Sequence, residues 1–357
     1  MTFFDSGTQY LIHPATLVSR GVKYCVPLLL LAGSVQAANP VVIKFATLAP
    51  EGSTWMKVMT ELNAELQSKT GGRVKFKFYA GGVQGDETDV VKKIRIGQLH
   101  AAGFTGVGLG QIAPAVRILD APWLFRDNAE ADFIRETFAK DLNAAVEKGG
   151  YVLLGWTELG WVYVFSREPI ASPDDMKKAK MWVWEGDPIA QAAYKAVGVT
   201  PRPLSVVDVM SSLETGMVDG VYGPPMGVTA LQWFRRTKHI YNAPIADSMG
   251  AVLVSRKAFD AIPEADRKVL LEVSARHLKR LGELSRRENA EALAAMQKQG
   301  LTLSAKASPE ALKRYEELGR QARRELVGKL YPAELLDRVE KALADRRAKS
   351  SGKTKKS

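Results

Sequence analysis

The stretch Met181-Trp182-Val183-Trp184-Glu185-Gly186-Asp187-Pro188 decides how the middle of this 357-residue chain is interpreted. Its apolar start predicts a buried strand, and Trp182 and Trp184 then project from the same face because side chains alternate along a strand. Asp187 is a typical N-cap residue, and Pro188 favours the first position of a helix. We therefore expect a strand with two indole rings on one face, followed directly by a capped helix.

Alternating strands and helices surround this stretch. Residues 41–46 are typical of a buried strand, and residues 74–78 alternate strictly as a second strand. The intervening segment has the pattern of a helix that starts at Ser53, so the three elements form a βαβ unit with parallel strands. The same alternation of predicted strands and helices resumes after residue 170. These patterns predict an α/β fold with two lobes and mixed sheets.

One segment near the end is predicted as a long helix. Between Pro263 and Gln299 there is no further proline, and Gly282 is the only glycine. At 1.5 Å per residue such a helix would reach roughly 55 Å, which exceeds the width of one small domain. We expect it to lie along both lobes and brace them.

Glycine-containing segments are predicted as turns. Four glycines lie around the end of the predicted strand at 101–104, namely Gly103, Gly106, Gly108 and Gly110. Their spacing differs from that of a dinucleotide-binding loop, so we interpret them as a tight loop that passes close to other backbone. Glu158-Leu159-Gly160 is expected to turn the chain between strands at 151–156 and 161–166.

Both termini have distinctive compositions. Residues 1–38 are typical of a secretory signal peptide, with an apolar run at 24–35 and a cleavage site near Ala37-Ala38, so we expect a periplasmic protein. Cys25 is the only cysteine and leaves with the signal, so disulfides are excluded from the mature chain. The net charge is +11, and the basic residues 346–357 are expected to form a disordered, solvated tail. Without interleaved aromatic residues, this tail does not favour a nucleic-acid partner.

The sequence lacks the motifs of a catalytic or metal centre. None of the four histidines has a second histidine or a cysteine at metal-ligand spacing, and no nucleophile elbow or phosphate-binding loop is present. Glu185 and Asp187 have oxygen ligands for a cation, but a solvated turn and a helix N-cap explain them equally well. We therefore predict no catalytic residues, no metal and no cofactor, with an enzyme of the cell envelope as the less favoured alternative.

Six short motifs carry a family resemblance: Ile43–Ala46 with Pro50, Gly81–Glu87, Ile94–Leu99, Ala121–Phe125, Asp174–Lys177 and Leu213–Gly220. Together they resemble the substrate-binding proteins of tripartite ATP-independent periplasmic (TRAP) transporters, the DctP-type family. The resemblance implies two α/β lobes with crossing strands, a long helix that spans both, and closure of the cleft on a ligand. It also implies delivery of that ligand to membrane permease subunits that use a sodium gradient. The expected lobes are residues 39–160 with about 248–285, and residues 161–247 with about 286–345.

Several positions depart from the family's pattern. The family arginine that grips a substrate carboxylate falls at Trp182, and a second family arginine falls at Val162. The family asparagine falls at Gly223, and an aromatic contact falls at Val206. Glu87 keeps its acidic character. A bidentate arginine is a strong anchor for a carboxylate, whereas an indole has a single N–H donor and a large apolar face.

These departures predict an unusual ligand for the family. We expect an apolar or aromatic molecule, or a cation caged by Trp182, Trp184 and Tyr222 with Glu87 or Glu185 nearby. A dicarboxylate is disfavoured, because a buried carboxylate without a partner costs several kcal/mol or more. Trp156 is a further candidate for the wall of the cleft.

Alternatives remain open at this point. The two tryptophans of residues 181–188 would instead be core residues if the ligand anchor were Arg202 or Lys180, since one face of such a strand packs into a domain core. The function would then be a transporter's binding subunit with another anchor. A ligand-sensing or hydrophobic-ligand shuttle protein with the same fold is the alternative to a transporter subunit.

Overall fold

The computed structural model describes the backbone of residues 40–354 and the side chains of residues 40–350. The predicted signal peptide lies outside the described residues. The strands in chain order are β1 (Val41–Ala46), β2 (Val74–Tyr79), β3 (Ala101–Thr105), β4 (Tyr151–Trp161), β5 (Tyr163–Ser166), β6 (Trp182–Trp184), β7 (Arg202–Leu204), β8 (Gly220–Gly223), β9 (His239–Tyr241), β10 (Asp247–Ser255) and β11 (Thr302–Leu303).

Helices connect these strands throughout the described chain. They are α1 (Thr54–Lys69), α2 (Glu87–Arg95), α3 (Gly106–Ile112), α4 (Asn128–Thr137), α5 (Ala139–Lys148), α6 (Pro173–Met176), α7 (Pro188–Val197), α8 (Val209–Thr215), α9 (Pro225–Ala230), α10 (Arg256–Asp260), α11 (Glu264–Lys298), α12 (Pro309–Glu325) and α13 (Ala333–Thr354). Short 3-10 helices lie at Pro114–Asp120, Val206–Asp208 and Trp233–Arg236.

The first lobe is built on a five-stranded mixed sheet with the order β2-β1-β3-β10-β4. Strand β1 pairs in parallel with both β2 and β3, which confirms the predicted βαβ unit. Strand β10 runs antiparallel to β3 and β4. Strand β10 follows the strands β5 to β9 of the second lobe in sequence. The chain therefore returns to the first lobe to complete this sheet.

The second lobe contains a four-stranded sheet with the order β11-β9-β5-β8 and the parallel pair β6-β7. Strand β5 is antiparallel to β8 and β9, and the short edge strand β11 pairs in parallel with β9. A backbone bridge from Met181 to Gly220 joins β6 to β8. Strand β6 therefore lies between β7 and β8 in this lobe, as the apolar start of the stretch predicts.

The prediction of a turn at residues 158–160 is wrong. Strand β4 continues without reversal to Trp161 and passes directly into β5 of the other sheet. Met249 pairs with Glu158 and Ser248 with Gly160, so Leu159 is the extra residue of a bulge in the ladder. Gly160 takes the positive φ of 109° that this bulge requires, and the strand bends and crosses between the lobes.

The predicted long helix is confirmed, since α11 runs from Glu264 to Lys298. Its first half packs in the core of the first lobe, where Leu278 lies so close to the backbone of Gly155 that a Cβ there would be 2.7 Å from it. Further along, the Asn289 side chain donates to Leu159 O at 2.8 Å and accepts from Met226 N at 3.0 Å. Met296 then lies in the core of the second lobe. The helix therefore touches both lobes.

The expectation of a disordered basic tail is wrong for the described residues, because α13 continues to Thr354. The guanidinium of Arg346 lies 4.8 Å from the ring centre of Phe133, and Arg347 pairs with Glu130 at 2.6 Å. These partners on α4 hold the basic segment against the first lobe. Leu336 and Val339 also pack in the first lobe's core, so the assignment of residues up to 345 to the second lobe does not hold for α13.

Candidate ligand-binding cleft

A cavity of about 580 Å³ lies between the two lobes. This volume is in the range of small-molecule sites, which typically measure about 300–1,000 Å³. The predicted residues that line it are Glu87, Val162, Trp182, Trp184, Val206, Tyr222 and Gly223. Trp156 instead packs, half-buried, against the core of the first lobe, and Glu185 is an exposed turn residue. Neither of these two belongs to the cavity wall.

Trp182 is both a core residue and part of the cavity wall. Its side chain is only 1% exposed, and its ring stacks on Tyr222 with the ring centres 4.9 Å apart. Trp233 meets the same indole edge-on at 5.2 Å. The indole N–H donates to Leu204 O at 3.0 Å, so this donor is not available to a ligand. The position therefore presents an apolar surface alone.

Trp184 ties the second lobe to the first. Its indole N–H donates to both carboxylate oxygens of Asp86, at 3.1 and 3.0 Å. Asp86 is the N-cap residue of α2, and it also accepts bonds from Val206 N, at 3.1 Å, and from the Ser205 hydroxyl. One carboxylate of the first lobe thus gathers three donors from the second.

The predicted aromatic cage for a cation is not formed. The rings of Trp182, Trp184 and Tyr222 pack on one another instead of around an open space, with Trp182 in the middle. The space in front of Trp182 is occupied by Tyr222 and Trp233, which approach from more distant parts of the chain. These rings wall the cavity but do not enclose a cation.

Arg117 is a site residue that sequence reasoning missed. It is 3% exposed in the 3-10 helix at Pro114–Asp120, and it is the only lysine or arginine along the cavity wall in the described part of the chain. Nε donates to Asp120 Oδ2 at 2.8 Å, and Nη2 donates to Asp187 Oδ1 at 3.0 Å. Burial disfavours the charge, but Asp187 and Asp120 outweigh it and raise the pKa of the guanidinium above its usual range. The signal in the sequence was one arginine within the apolar run at 113–119.

Asp187 fulfils its predicted role and a second one. Its Oδ1 accepts from Ile189 N at 3.1 Å, which confirms the N-cap of α7. The same carboxylate binds Arg117, and Oδ2 accepts from the Tyr222 hydroxyl at 3.2 Å. A cap that was predicted from local sequence therefore also joins the two lobes at the cavity wall.

Arg202 and Lys180, the alternative anchors, do not line the cavity. Both are exposed. The Arg202 guanidinium donates to Met217 O at 2.6 Å, and the Lys180 ammonium donates to Gly216 O at 2.9 Å. Neither side chain therefore offers a charge to a molecule in the cleft.

Glu87 is buried beside the start of α3, which replaces the predicted glycine loop with a short helix. Its carboxylate accepts from Thr105 N, the Thr105 hydroxyl and Gly108 N at 2.7, 2.9 and 2.7 Å. Burial raises the pKa of Glu87 to about 7 in spite of these bonds. A Cβ at Gly108 would lie 2.8 Å from the carboxylate, so glycine is needed for this approach. Glu87 holds the cavity wall through internal bonds.

Buried polar atoms without a protein partner are concentrated on the cavity wall. Within the described residues they include Arg117 Nη1, Trp123 Nε1, Tyr194 OH, Thr229 Oγ1 and both carboxyl oxygens of Asp247. A buried polar atom that lacks a partner costs about 1–3 kcal/mol. The cavity wall thus combines apolar side chains with residues whose polar atoms have no partner in the described protein.

The described residues contain neither a metal-binding cluster nor a membrane-spanning helix. No group of three or more His, Cys, Asp or Glu side chains within residues 40–350 is placed to hold a metal ion. In the same part of the chain, no helix has the length and apolar character needed to cross a membrane.

Comparisons with known proteins identify similar chains. The family model DctP, described as bacterial extracellular solute-binding protein, family 7, matches residues 45–327. A solute-binding protein of Verminephrobacter eiseniae is 27% identical over 242 residues, which are 67% of this chain and 72% of that protein. The 2,3-diketo-L-gulonate-binding periplasmic protein YiaO of Escherichia coli is 28% identical over 57% of this chain and 62% of its own length.

A solved structure matches the fold of nearly the whole described chain. The sugar acid binding protein of Advenella mimigardefordensis, in complex with galactonate, superposes with a TM-score of 0.80. The alignment covers 86% of this chain and 99% of that protein at 20% identity. At this identity the match establishes the two-lobed α/β fold alone.

Proposed function

Since the chain belongs to the DctP family of periplasmic solute-binding proteins of TRAP transporters, we propose that it captures an apolar or aromatic molecule that carries no carboxylate. The protein binds this molecule without transforming it and delivers it to membrane permease subunits. The proposal rests on the ion pairs that Arg117 makes within the protein. The only basic side chain on the described cavity wall is already bound by Asp120 and Asp187.

The electrostatics of the wall oppose an anionic ligand. A ligand carboxylate next to Arg117 would be the third acidic group around one guanidinium. Removing such a charge from water costs several kcal/mol, and only a well-placed unpaired cation offsets that cost. The resemblance places the usual arginine at Trp182, whose buried indole has no free donor. A C4-dicarboxylate or a sugar acid is therefore a poor ligand.

The remaining surface suits an apolar body with few polar groups. Trp182, Trp184, Tyr222 and Val206 supply aromatic and aliphatic walls, and a buried ring gains about 0.5–1.5 kcal/mol from aromatic contacts beyond the area it buries. The unpartnered Arg117 Nη1 offers a hydrogen bond to a neutral acceptor such as a carbonyl or hydroxyl oxygen.

Thermal unfolding with three probes tests the ligand class. We expect 4-phenylbutan-1-ol to stabilise the protein and succinate and D-galactonate to leave it unchanged. A ligand at 100 times its dissociation constant adds about 2.7 kcal/mol to the free energy of unfolding. The proposal is contradicted if succinate or galactonate stabilises the protein, or if none of the three probes does.

Two further measurements separate the proposal from its alternatives. Mass spectrometry of the probe after incubation should recover it unchanged, since turnover would make the protein an enzyme. Uptake of the native ligand by cells should be lost when the membrane permease subunits are deleted. Unchanged uptake in such cells would favour the sensing or shuttle protein.

A further inference from the structure

Asp247 is an acidic side chain of the cavity wall that has no partner. It begins β10, where its backbone pairs with Trp161 of β4. The residue is 1% exposed, yet both of its carboxyl oxygens lack a hydrogen-bond partner within the described protein. Such a group is rare in a folded protein, because most buried polar atoms are hydrogen-bonded. Its position on the cavity wall indicates that the missing partner belongs to a bound molecule.

The charged groups around Asp247 are already committed to other partners. Arg286 donates to Glu158 and to Asp132, each at 2.7 Å, and Arg135 also binds Asp132. The Asp120 carboxylate accepts from Met249 N at 2.8 Å and from Arg117. No basic side chain in the described chain is therefore bonded to Asp247.

These surroundings favour the protonated form of the Asp247 carboxyl group. Burial, followed by the neighbouring Glu158 and Asp120 carboxyl groups, raises the pKa of Asp247 well above its usual range, and Arg286 and Arg135 oppose this only in part. A cation placed beside the carboxyl group would reverse the effect, because an adjacent opposite charge favours the ionised form.

The number of acidic groups relative to basic groups along the wall also favours a cation. Four buried carboxyl groups, Glu87, Asp120, Asp187 and Asp247, line the cavity in the described chain, against the single guanidinium of Arg117. An ammonium group has three N–H donors and no acceptor, so it is matched by carboxyl oxygens that have no donor of their own. An alcohol has one O–H donor and would leave part of this acceptor capacity unused.

We propose that the ligand carries a protonated amine, which binds the two unpartnered oxygens of Asp247 while the apolar body of the ligand fills the aromatic part of the cavity. This inference rests on the proposed function and specifies the polar end of that ligand. On binding, the neutral carboxyl group gives up its proton to the solvent. The resulting carboxylate pairs with the ammonium, which keeps all of its own protons.

Calorimetry with matched probes tests this proposal. The probes are 4-phenylbutylamine, 4-phenylbutan-1-ol and 4-phenylbutyrate, which share the phenyl ring and the alkyl chain and differ in the charge of the end group. They are titrated into the wild-type protein, Asp247→Asn and the control Asp89→Asn. Asp89 lies on α2 with its side chain 49% exposed, and it bonds to Lys92.

We expect the amine to bind wild type at least tenfold more tightly than the alcohol, with the butyrate weakest. Asp247→Asn should lose at least tenfold in affinity for the amine and change by less than about twofold for the alcohol. Asp89→Asn should behave as wild type. Equal affinities for the amine and the alcohol, or an unchanged amine affinity in Asp247→Asn, overturn the amine inference but leave the proposed function standing. Tightest binding of the butyrate, or no binding of any probe, overturns both.

Proton release gives a second readout that needs no variant. Titration of the amine near pH 7 in buffers of different ionisation enthalpy should show release of about one proton from the wild-type protein. The alcohol should release none. Amine binding without proton release overturns the proposed pairing, even if Asp247→Asn fails to fold.

Discussion

The guanidinium of Arg117 donates through Nη2 to Asp187 Oδ1 at 3.0 Å, although the two residues lie 70 positions apart in the sequence. Arg117 belongs to the first lobe and Asp187 caps α7 in the second. Asp120 binds the same guanidinium from the other side at 2.8 Å. The positive charge of Arg117 is therefore largely neutralised by the protein's own carboxylates, which leaves little positive potential for an acidic ligand.

Loss of this guanidinium is expected to destabilise the protein strongly. Arg117→Met leaves two buried carboxylates without their cation, and removing one partner of a buried ion pair costs about 3–5 kcal/mol. Urea unfolding measures the loss. The control Arg338→Met removes an exposed ion pair with Asp141. We expect it to lower the free energy of unfolding by at most about 1 kcal/mol. Equal effects of the two substitutions would show that the buried pair does not stabilise the fold.

Asp86 is expected to control closure of the cleft. Asp86→Ala removes the acceptor for Trp184 Nε1, Val206 N and the Ser205 hydroxyl. Hydrogen bonds to a charged group contribute about 1.5–3 kcal/mol each, so the ligand-free protein should shift to an open form. Small-angle scattering should report a larger radius of gyration. The control Asp89→Ala lies on the same helix and should scatter as wild type. An unchanged radius of gyration in Asp86→Ala would show that the Asp86 hydrogen bonds do not hold the two lobes together.

Trp182 is expected to contribute to stability as well as to binding. Trp182→Ala removes a ring that stacks on Tyr222 and meets Trp233, and truncating a buried tryptophan costs about 3–5 kcal/mol. Chemical unfolding measures this loss, and titration of the folded variant measures the accompanying loss of ligand affinity. Ile96→Ala, at a residue that is 70% exposed, should change the free energy of unfolding by less than about 0.5 kcal/mol. Unchanged affinity in folded Trp182→Ala would remove this ring from the ligand site.

Glu87 is expected to make stability fall as pH rises from about 4.5 to 7. Burial raises its pKa from 4.5 to about 7, so between these values the native state holds a proton that the unfolded state has lost. Stability decreases with pH wherever the native state binds more protons, by about 1.4 kcal/mol for each pH unit per proton. The contribution is complete below pH 4.5 and is lost by about pH 7, a change of roughly 3 kcal/mol.

The Glu87→Gln variant checks this assignment. Unfolding measured at pH 5 and pH 7.5 should show a smaller fall in stability for Glu87→Gln than for wild type. Glu136→Gln removes an exposed carboxyl group and should follow the wild-type profile. If Glu87→Gln and wild type change in parallel, Glu87 does not titrate in this range.

Local physical chemistry accounts for the parts of the fold that the sequence predicted. The apolar run of β1, the N-cap at Asp187 and the proline-free span of α11 depend on residues within one element. The crossing of β4 into β5 depends instead on pairing with β10, which lies about 90 residues further along. A glycine at this position is compatible with a turn or a bulge, and the prediction of a turn was wrong.

The same distinction holds for the candidate site. Alternation places Trp182 and Trp184 on one face, but only tertiary packing brings Tyr222 and Trp233 against them. The sequence therefore predicted rings that do line the cavity, but their predicted arrangement as a cage was wrong. Arg117 and Asp247 were missed because each is a single charged residue whose partners, or lack of partners, appear only when distant segments meet.

The central claim is that the cleft selects against carboxylates, and native mass spectrometry of the purified protein with its co-purified ligand tests it most directly. The account predicts a bound molecule with an apolar or aromatic body and no carboxylate, which remains unchanged on the protein. Recovery of a sugar acid or a C4-dicarboxylate, bound one to one, would contradict it.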